Sequence, residues 1–478
     1  MRGAVAALYE QASIVSDAVR RPEGTLETYR ESVHKQLVST MANLNTLAKN
    51  REAVLRDFIA EKRTCVSPDA PHSKVTYAIL PTANHSRWDR LVDILTIQGF
   101  ELYQAEKVFS GSGVDRLGLA VNDREFPAGT LLIPGLQPEA RLLATLMEFD
   151  PHMVTEFLVD ERRELLRFDQ SLMYEISGWS ATMLFDLECV TLDGGVPARA
   201  KAQRFSPEVG ETDMSISPSP AKVGFVIDGA DDASVAAAAR LMEQGVQVRV
   251  ADRNIAFDGR SYARGSVLIT QKDNASFTGD LFGVIKDTAQ TVGVTATGLS
   301  TGMGIGDLPD LGGEHFVLLR APKIAILGKE PFSPNSFGTC WYAIDHVLGL
   351  RASYLDVHRM SDVDLRRYNV IVLPDGPPEA MKDHMEALRA WVGGGGTLVA
   401  IGGSTGAIAK AETGIGTIRQ LSDILAEPEP YLQAVIREWE GQTASVDPDL
   451  VWSHTAATGD KAPPIPWQGA GLTLSLIH

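Results

Sequence analysis

Gly402-Gly403-Ser404-Thr405-Gly406 is a G-x-S-x-G pentapeptide that follows the apolar run TLVAI and precedes the helix-prone AIAKAE. That is the setting of a nucleophile elbow, where a sharp strand-to-helix turn lifts a serine hydroxyl toward a carbonyl carbon. A serine also needs a positioned base to take its proton. Only His454 and the terminal His478 lie downstream, neither in an acid-linked H-x-E arrangement. A degenerate, non-catalytic turn is therefore the expected role of Ser404, with a Ser404 hydrolase as the alternative.

Other reactive residue types are sparse. Cys340, in FGTCWY, sits at a helix start where the helix dipole would favour a thiolate. No base neighbours it in sequence, so a buried structural cysteine is expected. The glycines of STGMGIGD, residues 300–307, do not fit G-x-G-x-x-G and read as a loop. DGADD, residues 228–232, could receive a ligand at a sheet edge but is better explained as a helix start with acidic residues in its first turn. A catalytic zinc takes three protein ligands and keeps a fourth position for water. None of the ten histidines is followed three residues later by Glu; His152 with Glu156 and His384 with Glu386 have other spacings.

Composition excludes several classes. The 478 residues are 44% hydrophobic and 22% charged, as in a globular protein with room for several cores. The net charge of −17 opposes sequence-independent binding to nucleic acid, which requires a basic surface. No apolar run approaches the roughly 18 residues of a membrane span. Cys65, Cys189 and Cys340 are odd in number and never spaced C-x-x-C, so neither a disulfide framework nor a cysteine zinc site is indicated.

The elements that must position these residues are legible in the periodicity. Residues 28–63 predict one long helix: Thr28 and Glu31 form a capping-box pattern, and Val33, Leu37, Met41, Leu44, Leu47, Val54, Leu55 and Phe58 recur near helical spacing. VSPDAPHS, residues 66–73, breaks that helix with two prolines. An internal repeat follows. VTYAIL (75–80), a helix, GFELYQAEKVF (99–109) and EFPAGTLLI (125–133) correspond to VGFVI (223–227), a helix, GVQVRVADRNI (245–255) and SYARGSVLI (261–269). Gly99 aligns with Gly245, Ala105 with Ala251 and Gly129 with Gly265. Each copy predicts a βαβ unit on a mostly parallel sheet. Between the copies lie a charge-rich amphipathic segment, 149–170, and a polar linker with three prolines, 206–220. A third βα pattern, KIAILG, ASYLDV, YNVIVLP and TLVAIGG, predicts a doubly wound α/β domain in which glycines 393–396 turn a helix into a strand. Trp179, Trp341 and Trp391 are expected in cores or domain interfaces.

Near the start, RGAVAALYEQAS places Glu10 in a short apolar, strand-like run, followed by GTLETYRESV and the long helix. This order, with REFPAGTLLIPGLQP (124–138) and YEISGWS (174–180), resembles the end of the catalytic domain and the accessory regions of bacterial zinc carboxypeptidases of the carboxypeptidase A-like kind. The resemblance implies that Glu10 faces a metal-bound water as general base and then acid, that the full-length parent holds zinc, and that its substrate is a peptide or protein. It also implies export, secreted or periplasmic. The chain itself lacks the family's His-x-x-Glu pair, so no bound zinc and no activity are expected of it alone. The segment from KIAILG to IAKAE is similar to class I glutamine amidotransferase domains, whose elbow carries cysteine where Ser404 stands here.

The expected organisation is α/β throughout: a carboxypeptidase remnant (1–65), two accessory repeats (66–205 and 206–321), an amidotransferase-like domain (322–425) and a tail (426–478). Three functions follow. The first is a fragment of a metallocarboxypeptidase-like protein; the second is a non-catalytic substrate-binding or scaffolding module; the third is the Ser404 hydrolase.

Overall fold

The computed structural model describes residues 17–21, 23–149, 153–168, 171–173, 180–205, 221–409, 415–418 and 428–443. The chain packs as two compact units, one formed by residues 1–152 and 176–209, the other by 153–175 and 210–478.

The first unit opens with a hairpin, β1 (Ala18–Arg20) and β2 (Leu26–Thr28), that feeds α1 (Tyr29–Cys65). Thr28 and Glu31 close the expected capping box: the Thr28 N–H donates to the Glu31 carboxylate at 2.8 Å, and the Glu31 N–H donates to Thr28 Oγ1 at 3.3 Å. Ion pairs tie both ends of α1 to neighbouring segments, Lys35 to Glu27 near its start and two more near its close. Lys62 and Glu61 pair with Glu139 and Arg141, at 2.8 and 2.6 Å. Between the ends, Leu37, Met41, Leu44 and Leu55 lie 48–58% exposed.

A seven-stranded sheet follows from β3 (Val75–Ile79), α2 (His85–Ile97), β4 (Leu102–Gln104), β5 (Phe109–Asp115), β6 (Ala120–Phe126), β7 (Leu131–Pro134) and α3 (Ala140–Met147). The chain leaves for α4 (Thr155–Phe168) of the second unit and returns for α5 (Ala181–Leu184), β8 (Cys189–Asp193) and β9 (Gln203–Phe205). The strand order is β6-β5-β8-β3-β7-β4-β9. Strict alternation splits the core in two. Tyr77, Ile79, Leu131 and Ile133 face α2 and α3, while Ala78, Leu132, Val190 and Leu192 face the stacked rings of Phe109 and Phe126.

In the second unit, β10 (Gly224–Ile227), α6 (Ala233–Glu243), β11 (Arg249–Ala251), β12 (Ile255–Phe257), β13 (Arg260–Tyr262), β14 (Val267–Thr270), α7 (Leu281–Val292), β15 (Ala296–Leu299) and β16 (Phe316–Leu318) build a five-stranded sheet in the order β15-β10-β14-β11-β16, with β12–β13 as a separate hairpin. This order reproduces β8-β3-β7-β4-β9 strand for strand. The repeat holds to single hydrogen bonds. The Gly129 N–H donates to the Ala105 carbonyl at 2.8 Å, as Gly265 does to Ala251 at 2.9 Å, and both glycines sit near φ +90°. Gly99 and Gly245 end their helices at φ 78° and 85°, a backbone region open to glycine at little cost.

The α/β class is as expected, but the mostly parallel ladder is not. In both copies the two strands joined by the helix run parallel yet never touch, because β7 or β14 inserts between them antiparallel to both. Apolar runs of four or five residues read alike in either ladder, so pattern alone cannot give strand polarity.

The remaining sheet is parallel: β17 (Ile324–Gly328), β18 (Ala352–Asp356), β19 (Val370–Leu373) and β20 (Thr397–Ala400), ordered β18-β17-β19-β20. One face packs on α9 (Met385–Gly393) and α10 (Thr405–Ala409) through Leu327, Leu355, Leu373 and Leu388. The other packs on α8 (Pro334–Trp341), continued as a π-helix to Val347, and on Ala239 of α6. The alanine run of α6 lets one helix serve two sheets, since Ala237 and Ala238 belong to the five-stranded core. Arg240 adds hydrogen bonds to the His346 and Val347 carbonyls at the end of the π-helix. A last helix, α11 (Pro428–Thr443), pairs Glu438 with Arg162 of α4. Among the described residues, no helix is long and apolar enough to cross a membrane.

Candidate functional site

The carboxyl ends of the parallel strands are where open α/β sheets gather ligand-binding loops, because the chain diverges to opposite faces there. Here those loops are Lys329–Ser333 after β17, the Asp356 turn after β18, Pro374–Pro377 after β19 and Gly402–Ser404 after β20.

Ser404 lies at this edge, but its hydroxyl does not face solvent. The residue is 1% exposed, and Oγ donates to the Pro374 carbonyl at 2.6 Å. The strained backbone of the turn falls on Gly402, φ 57°, not on the serine. Asp375 accepts the Gly403 N–H at 2.7 Å, and a Cβ at Gly402 would collide with the same carboxylate. Ser404 thus staples the β20 turn to the end of β19. No imidazole approaches it among the described residues; His454 and His478 lie outside them, as do Glu10, His152 and Trp179.

A cleft of about 550 Å³ opens beside this staple, between the ends of β17 and β18. Phe332, Pro334, Phe337 and Tyr354 form its wall, and Lys329, Glu330 and Asp356 its rim. The wall is held by missing side chains: a Cβ at Gly328 would stand 3.1 Å from the Phe337 ring, and one at Gly376 2.8 Å from Phe332. Ser333 caps α8 by accepting the Ser336 N–H at 3.3 Å, with Pro334 at the first helical position. Lys329 carries a left-handed backbone, φ 71°, a conformation that costs an L-residue on the order of 1–2 kcal/mol. Such residues cluster at ligand clamps.

The rim and wall were not singled out from sequence. The signal available was the loop GKEPFSP after an apolar strand, where Ser333-Pro334 marks a helix start; that Tyr354 and Asp356 of β18 join it depends on strand order.

The other candidates have structural places. Cys340 is buried, and burial pushes its thiol above the usual range. Cys189 is fully enclosed, its thiol pushed up to about 12 by desolvation. Asp228 accepts the Ala230 and Ala263 N–H groups, both at 3.0 Å, and Asp231 accepts the Ala233 N–H at 2.9 Å, so DGADD opens α6. Trp391 donates to the Tyr368 carbonyl at 3.2 Å, as a core tryptophan should. Trp341 differs from expectation: it is 41% exposed, because α8 turns that face to solvent. Among the described residues no group of three or more His, Cys, Asp or Glu side chains is placed to hold a metal ion, so they do not fit a catalytic zinc.

No protein-family model, no curated protein and no solved structure matches the chain.

Proposed function

We propose that this chain is the rear part of a zinc carboxypeptidase-like protein, and that its α/β modules bind ligand instead of catalysing. The order of RGAVAALYEQAS, the long helix, REFPAGTLLIPGLQP and YEISGWS supports the ancestry. The binding role rests on one observation: at the carboxyl edge of the parallel sheet an aromatic cleft of about 550 Å³ stands open while the adjacent Ser404 hydroxyl is buried and committed to a carbonyl. A cleft of that size with a few convergent polar groups is the usual form of a small-molecule site.

Zinc content and release of C-terminal residues from peptides test the reading, measured on this chain and on one extended at its amino end by the sequence its gene supplies. The present chain should hold no stoichiometric zinc and release nothing. The extended chain should hold one zinc, release C-terminal residues, and lose activity to a chelator and to Glu10→Gln. Hydrolysis by the present chain would overturn the binding role, and an extended chain active without zinc would overturn the ancestry.

A further inference from the structure

Three charged groups with little else to do surround the aromatic wall. Lys329 and Glu330 are exposed and have no ion pair or side-chain hydrogen bond among the described residues. Asp356 spends one carboxylate oxygen on the His358 N–H at 3.0 Å, which leaves the other for a ligand. The rim therefore offers one ammonium and two carboxylates to whatever enters the cleft.

The wall offers apolar contact. Tyr354 is 54% exposed although its ring meets Phe337 edge-on, at 5.6 Å between centroids and 70° between planes. A stacked or edge-on third ring, or a branched aliphatic group, would complete that pair and remove it from water.

We propose that this cleft binds a free α-amino acid, as the zwitterion, with an aromatic or large aliphatic side chain. The inference names the ligand of the binding module proposed above and rests on that reading. Its ammonium pairs with Asp356 and Glu330, its carboxylate with Lys329, and its side chain lies on Phe337 and Tyr354. A carboxylic acid without the amine would satisfy Lys329 but meet two like charges; an amine without the acid would meet Lys329 unpaired. A nucleotide would set its phosphates against Glu330 and Asp356. The left-handed backbone of Lys329 fits this role, since strain held at a single residue beside a cleft is a mark of a clamp.

Isothermal titration calorimetry on the whole chain tests the assignment, with L-phenylalanine, phenethylamine, 3-phenylpropionate and glycine as probes. Phenylalanine should bind, phenethylamine about fivefold more weakly, as loss of one exposed ion pair predicts, phenylpropionate, which loses two pairs, more weakly still, and glycine not detectably. Lys329→Asn, which tolerates a left-handed backbone, should weaken phenylalanine and phenylpropionate about fivefold and leave phenethylamine unchanged. Asp356→Asn, which can still accept the His358 N–H, should weaken phenylalanine and phenethylamine about fivefold and bind phenylpropionate no less tightly than before. Unchanged unfolding midpoints show that both variants are folded. Equal binding of phenylalanine and both half-ligands would overturn the zwitterion and leave the binding role intact. No binding of any aromatic probe would retire both, and half-ligand affinities unmoved by either variant would place the site elsewhere.

Discussion

Removing the Ser404 hydroxyl separates a structural serine from a nucleophile. Oγ is the group that donates to the Pro374 carbonyl among the described residues, at 2.6 Å, and both Ser404 and Pro374 are buried. In Ser404→Ala the carbonyl is left without a donor and without water. A buried unsatisfied acceptor costs roughly 1–3 kcal/mol, so a loss of about 2 kcal/mol is expected. The loss belongs to the β19–β20 end of the parallel sheet, and it should appear as about 30-fold faster amide exchange there, since 1.4 kcal/mol is tenfold in an equilibrium. Hydrogen exchange read by mass spectrometry over β19, β20 and α10 measures it. Native protein should at the same time resist a serine-directed fluorophosphonate. Unchanged exchange in the variant, or labelling of Ser404 in the native chain, would refute the staple.

The matched glycines should behave as equals: Gly129→Ala and Gly265→Ala each force a side chain to φ near +90° and should each cost roughly 1–2 kcal/mol, read by chemical denaturation. Leu44→Lys, on the open stretch of α1, should change stability by no more than about 0.5 kcal/mol in the same assay. Alkali should weaken the first unit. Burial raises Cys189 and Tyr77 to about 12, so the folded chain holds protons that the unfolded chain releases from about pH 8.5 upward. Stability from these groups is intact below that pH and lost as pH climbs toward 12; Cys189→Ala should flatten the early part of the decline. On the acid side, the Arg249 guanidinium, 2.7 Å from Asp273, holds that carboxyl below its usual range, so the stability it lends is present at neutral pH and fades as pH falls below about 4.

Much of the fold could be read from residues whose chemistry is local. Thr28 and Glu31 announce the start of α1, and Gly99, Gly245, Gly129 and Gly265 announce turns that only their backbones allow. The duplicated pattern aligned Ala105 with Ala251, and in the structure both carbonyls accept the matching glycine N–H. Polarity was not legible, because VTYAI and LLIP carry no mark of which way a neighbour runs. The cleft was hidden for the same reason: Lys329 and Tyr354 lie 25 positions apart, and only strand adjacency sets them side by side. At Ser404 the sequence supplies a spacing and no orientation. Its pentapeptide carries an elbow's spacing, but the direction of a hydroxyl is set by what packs above it.

The insertion of β7 between β3 and β4, and of β14 between β10 and β11, orders events during synthesis. The strand that completes the middle of each sheet is made after both strands it must separate, so the earlier pair has no ladder to form until residues 131–134 or 267–270 leave the ribosome. Until then each nascent half carries strands with unpaired edges, with which another extended segment could pair. Fidelity in these halves is therefore a race between the proper strand and an intruder, and a pause in translation just upstream of either closing strand would favour the intruder.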